Sequence, residues 1–359
     1  MRVLCVVPQN IKHETVMFLG LQARGINMHV ITTRKVEPDY TQLVEAGIAV
    51  DVIPIRKRID NKAIQAIREI MHAGKFDIVH AFNNKTVSNA LRACKNTRCK
   101  FIAYRGIVGN VSFLNPASWQ TYLNPRVDRI ICVAEAIRQH LLRLRCLWLK
   151  IPAEKLVTIY KGHDLNWYSE PPADLSQFDI PSNAFVVACA ANYRPRKGIE
   201  KLIEAWQLLP ADQPIHLLLI GQMENKNIQK LLAQHPCRER IHCIGYQENA
   251  AQIQAAADIC VLPSLKREGL PKSVIEGMAY GVPPIVTDSG GSPELVEHGS
   301  SGLVVPPNSA QALALAIASL YQNDSQRRDM GVTARQRIAD KFTTEKTISD
   351  TFALYQSLA

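Results

Sequence analysis

Signals for disulfides, zinc binding and membrane insertion are scarce in this sequence of 359 residues. Its nine cysteines include no C-x-x-C pair, and several lie in apolar, strand-like runs where a free thiol behaves as a small hydrophobe. These are Cys5, Cys132, Cys189 and Cys260. No apolar stretch approaches the roughly 18 residues that span a bilayer, and the run 3–7 is too short for a signal peptide. We therefore expect a protein of the reducing cytoplasm.

The length of the chain suits two domains better than one. Apolar residues make up 47% of the sequence and charged residues 21%, so each domain can bury a core of its own. Short runs rich in Val and Ile alternate with longer amphipathic stretches, which is typical of β-α-β units around parallel sheets. Strands are predicted at 3–7, 28–32, 49–53, 78–81, 101–104, 129–133 and 156–159, and in a second series at 185–191, 216–220, 241–244, 259–262, 284–286 and 303–305.

Prolines at 171, 172 and 181 interrupt the pattern between the two series and predict a linker. Each series is typical of a doubly wound, Rossmann-like α/β domain, in which ligands bind at the carboxyl ends of the strands. Two such domains that face each other would form the site in a central cleft. The expected division is an N-terminal domain at 1–165, a linker at 166–182, a C-terminal domain at 183–340 and a final helical segment at 341–359.

The positive charge is concentrated in the first half of the chain. The formal net charge is +10, but residues 1–165 contain 25 Lys and Arg against 12 Asp and Glu, whereas residues 166–359 contain 17 against 20. This excess predicts an anionic partner for the N-terminal domain, such as a membrane surface or a phosphorylated glycan, with a basic surface that binds nothing as the alternative. Nucleic acid is disfavoured, because aromatic residues are not interleaved with the basic ones.

The most specific local pattern is Glu268-Gly-Leu-Pro-Lys-Ser-Val-Ile-Glu276, which follows a predicted strand. Pro271 suits the start of a helix and Gly281 its end, so a short helix is predicted between them. The free N–H groups at its start, from Lys272 onward, suit a diphosphate. Glu268 and Glu276 would repel phosphate but can accept hydrogen bonds from sugar hydroxyls on either side of it. Two glutamates that serve only solubility are the alternative.

A second pattern, Asn192-Tyr-Arg-Pro-Arg-Lys-Gly198, follows the predicted strand 185–191. Its cations stand at a strand-to-helix turn, where they can neutralise the charge that develops on a departing diphosphate. They are Arg194, Arg196 and Lys197. A solvated basic turn is the alternative. The glutamate pattern also follows a predicted strand and precedes a helix, and this shared position favours the binding site over the alternative.

Together with five further segments, these two patterns resemble the C-terminal domain of retaining family 4 glycosyltransferases, which have the GT-B fold. The order and spacing match over about 120 residues. The further segments are Leu-Leu-Leu-Ile-Gly at 217–221, Ile-Gly-Tyr at 244–246, Ala-Asp at 257–258 with Leu-Pro-Ser at 262–264, Ser-Gly-Gly-Ser-Pro-Glu-Leu-Val at 289–296 and Gly-Leu-Val-Val-Pro-Pro at 302–307.

The resemblance implies that a hexose-type sugar is transferred, with retention, from a nucleotide-diphosphate donor. It implies that Glu268 contacts the donor hexose and Glu276 the ribose hydroxyls. Arg196 and Lys197 would bind the diphosphate and stabilise its charge. No cofactor and no metal are expected, since no Asp-x-Asp occurs and protein cations can take that role. The remaining positions of the implied donor site are Gly269, Leu270, Pro271, Lys272, Arg194, Ile244 and Tyr246.

The N-terminal half resembles the family more loosely and departs from it at two places. Residues 8–13 stand where many members have a glycine-rich loop, and residues 104–106 stand where the family often has a histidine of the cleft. His13, His80 and His163 are the candidates to replace that histidine, and a purely structural role is the alternative for His80 and His163. A C-terminal helix around 344–357 is implied to pack on the first domain.

Two features bear on the acceptor. Arg105 is a candidate to hold an acceptor phosphate or the leaving diphosphate, with a solvated loop arginine as the alternative. The segment 135–150 mixes basic residues with Leu, Ile and Trp at helical spacing, which predicts a helix on an anionic inner membrane leaflet unless the leucines form the core. We therefore expect a glycan or lipid-linked acceptor, of lipopolysaccharide type, at the cytoplasmic face of a membrane.

Two other functions stay open at this point. A sugar-nucleotide epimerase or hydrolase has the same architecture, and a non-catalytic partner in glycan assembly agrees with the missing histidine. The glutamate pair with its flanking glycines favours transfer.

Overall fold

The structure, a computed structural model, describes all 359 residues, and its contacts divide the chain into two units. The first unit contains Met1–Gly162 and Thr343–Ala359, and the second contains His163–Phe342. Every helix is too short or too polar to cross a lipid bilayer.

The first unit is built on a parallel sheet of seven strands in the order β3-β2-β1-β4-β5-β6-β9. Its central strands are buried along almost their whole length, as parallel strands covered by helices on both faces must be. The elements in chain order are β1 (Arg2–Val7), α1 (Lys12–Ala23), β2 (Asn27–Thr32), α2 (Asp39–Glu45), β3 (Ala49–Val52), α3 (Asn61–Gly74), β4 (Ile78–Ala81), α4 (Asn84–Ala93), β5 (Lys100–Arg105), α5 (Pro116–Trp119), β6 (Arg129–Cys132), α6 (Glu135–Arg143), β7 (Arg145–Cys146), β8 (Leu149–Lys150) and β9 (Leu156–Thr158).

The second unit repeats this plan with six parallel strands in the order β12-β11-β10-β13-β14-β15. Apolar side chains of α7 and α12 pack on one face of this sheet around the buried Trp206. The elements are β10 (Phe185–Ala190), α7 (Ile199–Trp206), β11 (Ile215–Ile220), α8 (Lys226–Ala233), β12 (Ile241–Cys243), α9 (Ala250–Ala255), β13 (Ile259–Leu262), α10 (Lys272–Ala279), β14 (Pro284–Thr287), α11 (Ser292–Leu295), β15 (Leu303–Val305), α12 (Ala310–Gln322) and α13 (Asp324–Lys341).

Every strand predicted from the sequence lies in one of these two sheets, so the expected pair of Rossmann-like folds is confirmed. The interval predicted as a linker, 166–182, lies in the second unit. It forms short 3-10 turns at Leu165–Tyr168 and Ser176–Phe178. The backbone N–H of Ala173 donates to the carbonyl of Gln252 at 3.0 Å, and this stretch packs against the second sheet through Ile180.

The helix expected over 135–150 is wrong in its second half. The helix α6 ends at Arg143, and β7 and β8 form a hairpin in which Arg145 pairs with Lys150. The two residues at the tip turn the chain, with Leu147 at a φ of 53°, which no helix accommodates. Leu147 and Trp148 are 81% and 82% exposed, so they do not belong to the core.

The last helix, α14 (Thr344–Gln356), belongs to the first unit and packs on α1. Ile348 lies directly over Gly20, where a Cβ would come within 2.4 Å of its Cδ1 atom. The hydroxyl of Thr347 donates to the Tyr160 carbonyl and accepts from the Gly162 N–H, both at 2.8 Å. Backbone and side chains therefore both hold α14 in place.

Gly162 is the tightest point of this docking, and its replacement should destabilise the first unit. A Cβ at Gly162 would lie 2.0 Å from the carbonyl oxygen of Thr343, which is backbone and cannot move aside easily. We expect Gly162→Ala to lower the free energy of unfolding by about 1–3 kcal/mol, measured by urea denaturation. Gly106→Ala is the control, because its nearest heavy atom would be 3.8 Å away. Equal stability of the two variants would contradict this packing.

Candidate functional site

Two turns of the second unit meet where the order of its strands reverses. β10 pairs with β13 on one side and with β11 on the other, so the chain winds in opposite directions from this point. Residues 191–198 follow β10, and residues 263–271 follow β13. In open α/β sheets this crevice at the carboxyl ends of the strands is where ligands bind.

Glu268 is the centre of the site. Its side chain is only 6% exposed, and its Oε1 atom lies 2.8 Å from Lys197 Nζ and 3.8 Å from Arg196 Nη1. The hydroxyl of Ser264 donates to the same oxygen at 2.7 Å. A buried carboxylate is costly unless it is paired and hydrogen-bonded, and here both conditions are met. The sequence-predicted residues Glu268, Arg196 and Lys197 are thus brought together.

The backbone around this cluster leaves no room for side chains at two glycines. Gly198 has a φ of 67°, and a Cβ there would lie 2.1 Å from the carbonyl oxygen of Pro263. Gly290 has a φ of 60°, and a Cβ there would lie 2.1 Å from the carbonyl oxygen of Glu268. The N–H of Leu265 also donates to the Arg196 carbonyl at 2.8 Å. The turns after β10 and β13 and the loop before α11 are therefore locked against one another.

The helix α10 starts beside this cluster without a side-chain cap. Pro271 is the N-cap of α10, so the helix begins at Lys272, one residue later than the sequence predicts. The first N–H that is hydrogen-bonded within the helix is that of Ile275. The N–H groups before it are the donors that an anion can accept from. Glu276, on the next turn, is 12% exposed and lies 2.6 Å from Lys272 Nζ.

The charges of this region leave a positive surplus. Three cations lie within 4.0 Å of the two glutamates, namely Arg196, Lys197 and Lys272, so one positive charge has no carboxylate of its own. The N-terminal end of the α10 dipole adds to this field. The site is therefore suited to a ligand with negative charge at its centre and hydroxyl groups at its ends.

His163 is tied to α10 through two tyrosines. Its Nδ1 atom lies 2.5 Å from the Tyr168 hydroxyl, and the two rings stack. Tyr168 in turn packs edge-to-face on Tyr280, with ring centroids 5.7 Å apart. Burial raises the pKa of Tyr168, and the negative charge of Glu276 raises it further. His163 is 3% exposed, so it has almost no contact with solvent. Its role is to orient Tyr168, which lies close to Glu276.

The remaining donor-side predictions lie around the rim. Arg194 is exposed, and Gly269 and Leu270 continue the turn that carries Glu268. Ile244 and Tyr246 follow β12, at the same end of the sheet, and Tyr246 is 66% exposed. The Ile244 N–H donates to the Leu219 carbonyl at 3.1 Å, which fixes this segment as an extension of the sheet.

Two family models match this chain, and each covers one of its halves. Glycosyltransferase Family 4 matches residues 17–167, and Glycosyl transferases group 1 matches residues 172–337. The chain belongs to the family 4 glycosyltransferases. The cluster around Glu268 and the helix α10 lie wholly within the group 1 match.

Curated relatives of this glycosyltransferase family are similar over about half of their length. The chain is 27% identical over 209 residues to N-acetyl-alpha-D-glucosaminyl L-malate synthase of Bacillus anthracis, which covers 57% of the chain and 54% of the relative. It is 29% identical over 180 residues to the lipopolysaccharide core biosynthesis glycosyltransferase LpsE of Rhizobium meliloti, covering 50% and 52%.

Solved structures extend the likeness of fold to the whole chain. Anabaena HepE in complex with UDP and glucose superposes with a TM-score of 0.81 at 20% identity, covering 99% of this chain and 100% of that one. WaaG, a glycosyltransferase involved in lipopolysaccharide biosynthesis, superposes with a TM-score of 0.73 at 14% identity, covering 99% of both chains. At these identities the likeness shows the GT-B fold alone.

Two serines of this glycosyltransferase were missed as site residues. Ser289 and Ser292 flank the glycine that packs on Glu268, both are buried, and neither hydroxyl has a hydrogen-bond partner in the protein. The signal in the sequence was the Gly-Gly pair between two hydroxyl residues directly after a strand. We add them to the candidate site. No group of three or more His, Cys, Asp or Glu side chains is arranged to hold a metal ion.

His13 and His80 are buried in the first unit, where they line a small pocket of about 20 Å³ between the sheet, α1 and α14. His13 Nε2 is 2.5 Å from Glu14 Oε2. His80 Nδ1 is 2.8 Å from the Tyr355 hydroxyl, and its ring stacks on Phe82. His80 is 1% exposed, and burial lowers its pKa to about 3. It is therefore a neutral, packed side chain at neutral pH.

The buried His80 should make the first unit sensitive to acid. Its folded pKa of about 3 lies below the unfolded value of about 6.5, so only the unfolded chain binds this proton between these values and stability falls as the pH falls. From pH 7 to pH 5 we expect the wild type to lose about 2 kcal/mol more than His80→Asn, measured by urea denaturation. His72→Asn, on the exposed face of α3, should follow the wild type. If the wild type and both variants lost the same unfolding free energy between pH 7 and pH 5, His80 would not be a buried, neutral histidine.

Proposed function

We propose that this chain transfers a hexose-type sugar from a nucleotide-diphosphate donor to a glycan or lipid-linked acceptor, with retention at the anomeric carbon. The observation that carries the proposal is the buried Glu268, held by Lys197 and Ser264 beside the uncapped start of α10. Membership of the family 4 glycosyltransferases supports the class of reaction.

The arrangement supports a donor in which the diphosphate lies between two sugars. The N–H groups at the start of α10, with Lys197 and Arg196, suit the diphosphate. Glu268 on one side and Glu276 on the other accept hydrogen bonds from hydroxyl groups, which we assign to the hexose and the ribose. UDP and glucose in the HepE structure are the kind of ligand pair that this assignment requires.

Catalysis in this proposal rests on positioning and charge. The bond between the anomeric carbon and the diphosphate oxygen breaks, and the diphosphate leaves with the electron pair. Lys197, Arg196 and the α10 N–H groups stabilise the charge that develops, while the acceptor oxygen bonds to the anomeric carbon and passes its proton to the departing diphosphate. The relative named for lipopolysaccharide core biosynthesis supports a saccharide acceptor.

Lys197 and Glu276 should each be required for transfer. We expect Lys197→Met and Glu276→Gln to lower kcat/KM by about 100-fold or more, because each removes an interaction with the diphosphate or the ribose. Lys201→Met is the matched control, since Lys201 pairs only with Glu204 on the same helix face. The measurement is a screen of nucleotide-sugars for thermal stabilisation, followed by nucleotide release with the best donor.

Three outcomes decide this prediction. Wild-type transfer in either purified and folded variant would overturn the role of its residue. Release of an epimerised sugar-nucleotide without any acceptor would favour an epimerase, and failure of every nucleotide-sugar to stabilise the wild type would favour a non-catalytic partner.

We also propose that the first unit contacts an anionic membrane through the β7–β8 hairpin. Leu147 and Trp148 at its tip are exposed, and Trp is a residue that prefers the interface of a bilayer. Arg143, Arg145 and Lys150 flank them in sequence and can attract acidic headgroups. The basic excess of residues 1–165 supports this orientation.

Replacing the hairpin tip should release the protein from acidic vesicles. We expect the double variant Leu147→Ser/Trp148→Ser to bind phosphatidylserine-containing vesicles about tenfold more weakly or worse, as measured by co-sedimentation. The reason is that two apolar side chains no longer insert into the bilayer. Leu208→Ser is the control, because Leu208 is 56% exposed but lies in the second unit. Binding that is insensitive both to the hairpin change and to salt would refute this contact.

A further inference from the structure

The first unit contains a second candidate binding site that the donor assignment does not use. We propose that Arg105 in this pocket binds an anionic group of the acceptor, a phosphate or a carboxylate, so that charged saccharides are selected over neutral ones. The inference rests on the proposed transferase function, because it names the chemical class of that reaction's acceptor.

The pocket lies where a ligand site is expected in this fold. The strand order of the first sheet reverses between β1 and β4, as it does between β10 and β13 in the second. Pro8 directly after β1, residues 82–86 after β4 and Arg105 at the end of β5 all line a pocket of about 550 Å³. This volume is typical of sites for small ligands. Position and size both indicate a binding site.

Arg105 is a buried cation without a buried anion. It is 3% exposed, its Nη1 atom lies 3.5 Å from Asn84 Oδ1, and its Nη2 atom donates to the Gly109 carbonyl. The guanidinium stacks on the Tyr122 ring at 4.8 Å. All of these partners are neutral, and no carboxylate lies within 4.0 Å of the guanidinium.

The Nε atom of Arg105 is the clearest sign of a missing partner. It is buried and has no hydrogen-bond acceptor in the protein. Burying a charged group with an unmet donor is costly, so such groups are normally paired, as the largely buried Arg327 is with Asp258 at 3.4 Å. An anion in the pocket would supply both the counter-charge and the acceptor that Arg105 lacks.

The other charged residue of the lining is also positive, and the remaining lining residues are neutral. Lys85 is a second cation, and its Nζ atom is held only by the Arg56 carbonyl at 2.9 Å, while no Asp or Glu lines the pocket. The start of α4 is not the site itself, because Asn83 Oδ1 already accepts from the N–H groups of Lys85 and Thr86. The anion is therefore assigned to Arg105, with Lys85 as an exposed second contact.

Phosphate and carboxylate share the chemistry that Arg105 recognises, and two probes separate them. Glucose 6-phosphate carries the first group and glucuronate the second, whereas methyl glucoside carries neither. Side-chain ¹⁵N NMR of the full-length protein follows the Nε–H of arginine directly. We expect one Nε–H signal to shift with at least one anionic probe and not with methyl glucoside. The signal is assigned to Arg105 by its loss in Arg105→Lys.

Titration calorimetry of the same probes gives the second test. Arg105→Gln should lower the affinity for the preferred anionic probe by about tenfold or more, whereas Arg105→Lys should keep part of that affinity. Arg98→Gln is the control, because Arg98 is exposed and lies outside this pocket. Because the NMR assignment uses Arg105→Lys, which keeps the positive charge, and the calorimetry uses Arg105→Gln, failure of the Gln variant to fold does not leave the proposal undecided.

UDP binding, measured in parallel, separates this inference from the proposed function. If UDP binds and the protein prefers an anionic probe in a way that depends on Arg105, both the donor site and the anion site are supported. UDP binding with equal responses to all three probes, or with an anionic response unchanged in Arg105→Gln, overturns the anion site alone. Absence of binding by UDP and other nucleoside diphosphates overturns the donor site, whatever the probes show.

Discussion

The contact between Lys197 and Glu268 is the interaction on which the proposed site depends. It joins the turn after β10 to the turn after β13. Lys197 Nζ lies 2.8 Å from Glu268 Oε1, and both side chains are largely shielded from water. An unpaired carboxylate there would be strongly disfavoured, so the presence of Glu268 requires the lysine, and both require the close backbone approach at Gly198. The uncapped start of α10 is then fixed beside them.

The same topology explains why each unit has a candidate site of its own. In both sheets the strand order reverses beside the first strand, which is the position where open α/β sheets bind ligands. The second unit fills this position with paired charges, Lys197 against Glu268. The first unit fills it with an arginine that has no carboxylate. This difference in charge balance, rather than a difference in fold, is what distinguishes the two candidate sites chemically.

Much of this could be predicted from the sequence because the signals are local. Alternating Val-rich runs and amphipathic stretches located the strands, and Pro271 and Gly281 located α10, with Glu268 before it and Glu276 on it. The turn at Leu147 could not be predicted, because leucine and arginine suit a helix and only the cross-strand pairing of Arg145 with Lys150 decides otherwise.

Burial was the other property that local patterns did not provide. His80 and Arg105 both stand at strand ends in the sequence, but one packs against Tyr355 and the other lines a pocket. Tyr355 is 275 positions away from His80 in the chain, so no local pattern contains that contact. The buried hydroxyls of Ser289 and Ser292 likewise follow from the loop's approach to Glu268.

A crystal structure with the nucleoside diphosphate that stabilises the protein most would test the central claim most directly. The account predicts density for the diphosphate at the first N–H groups of α10 within reach of Lys197, and a ribose hydroxyl within hydrogen-bond distance of Glu276. A nucleotide bound elsewhere in the second unit, with Lys197 and Glu276 untouched, would contradict it.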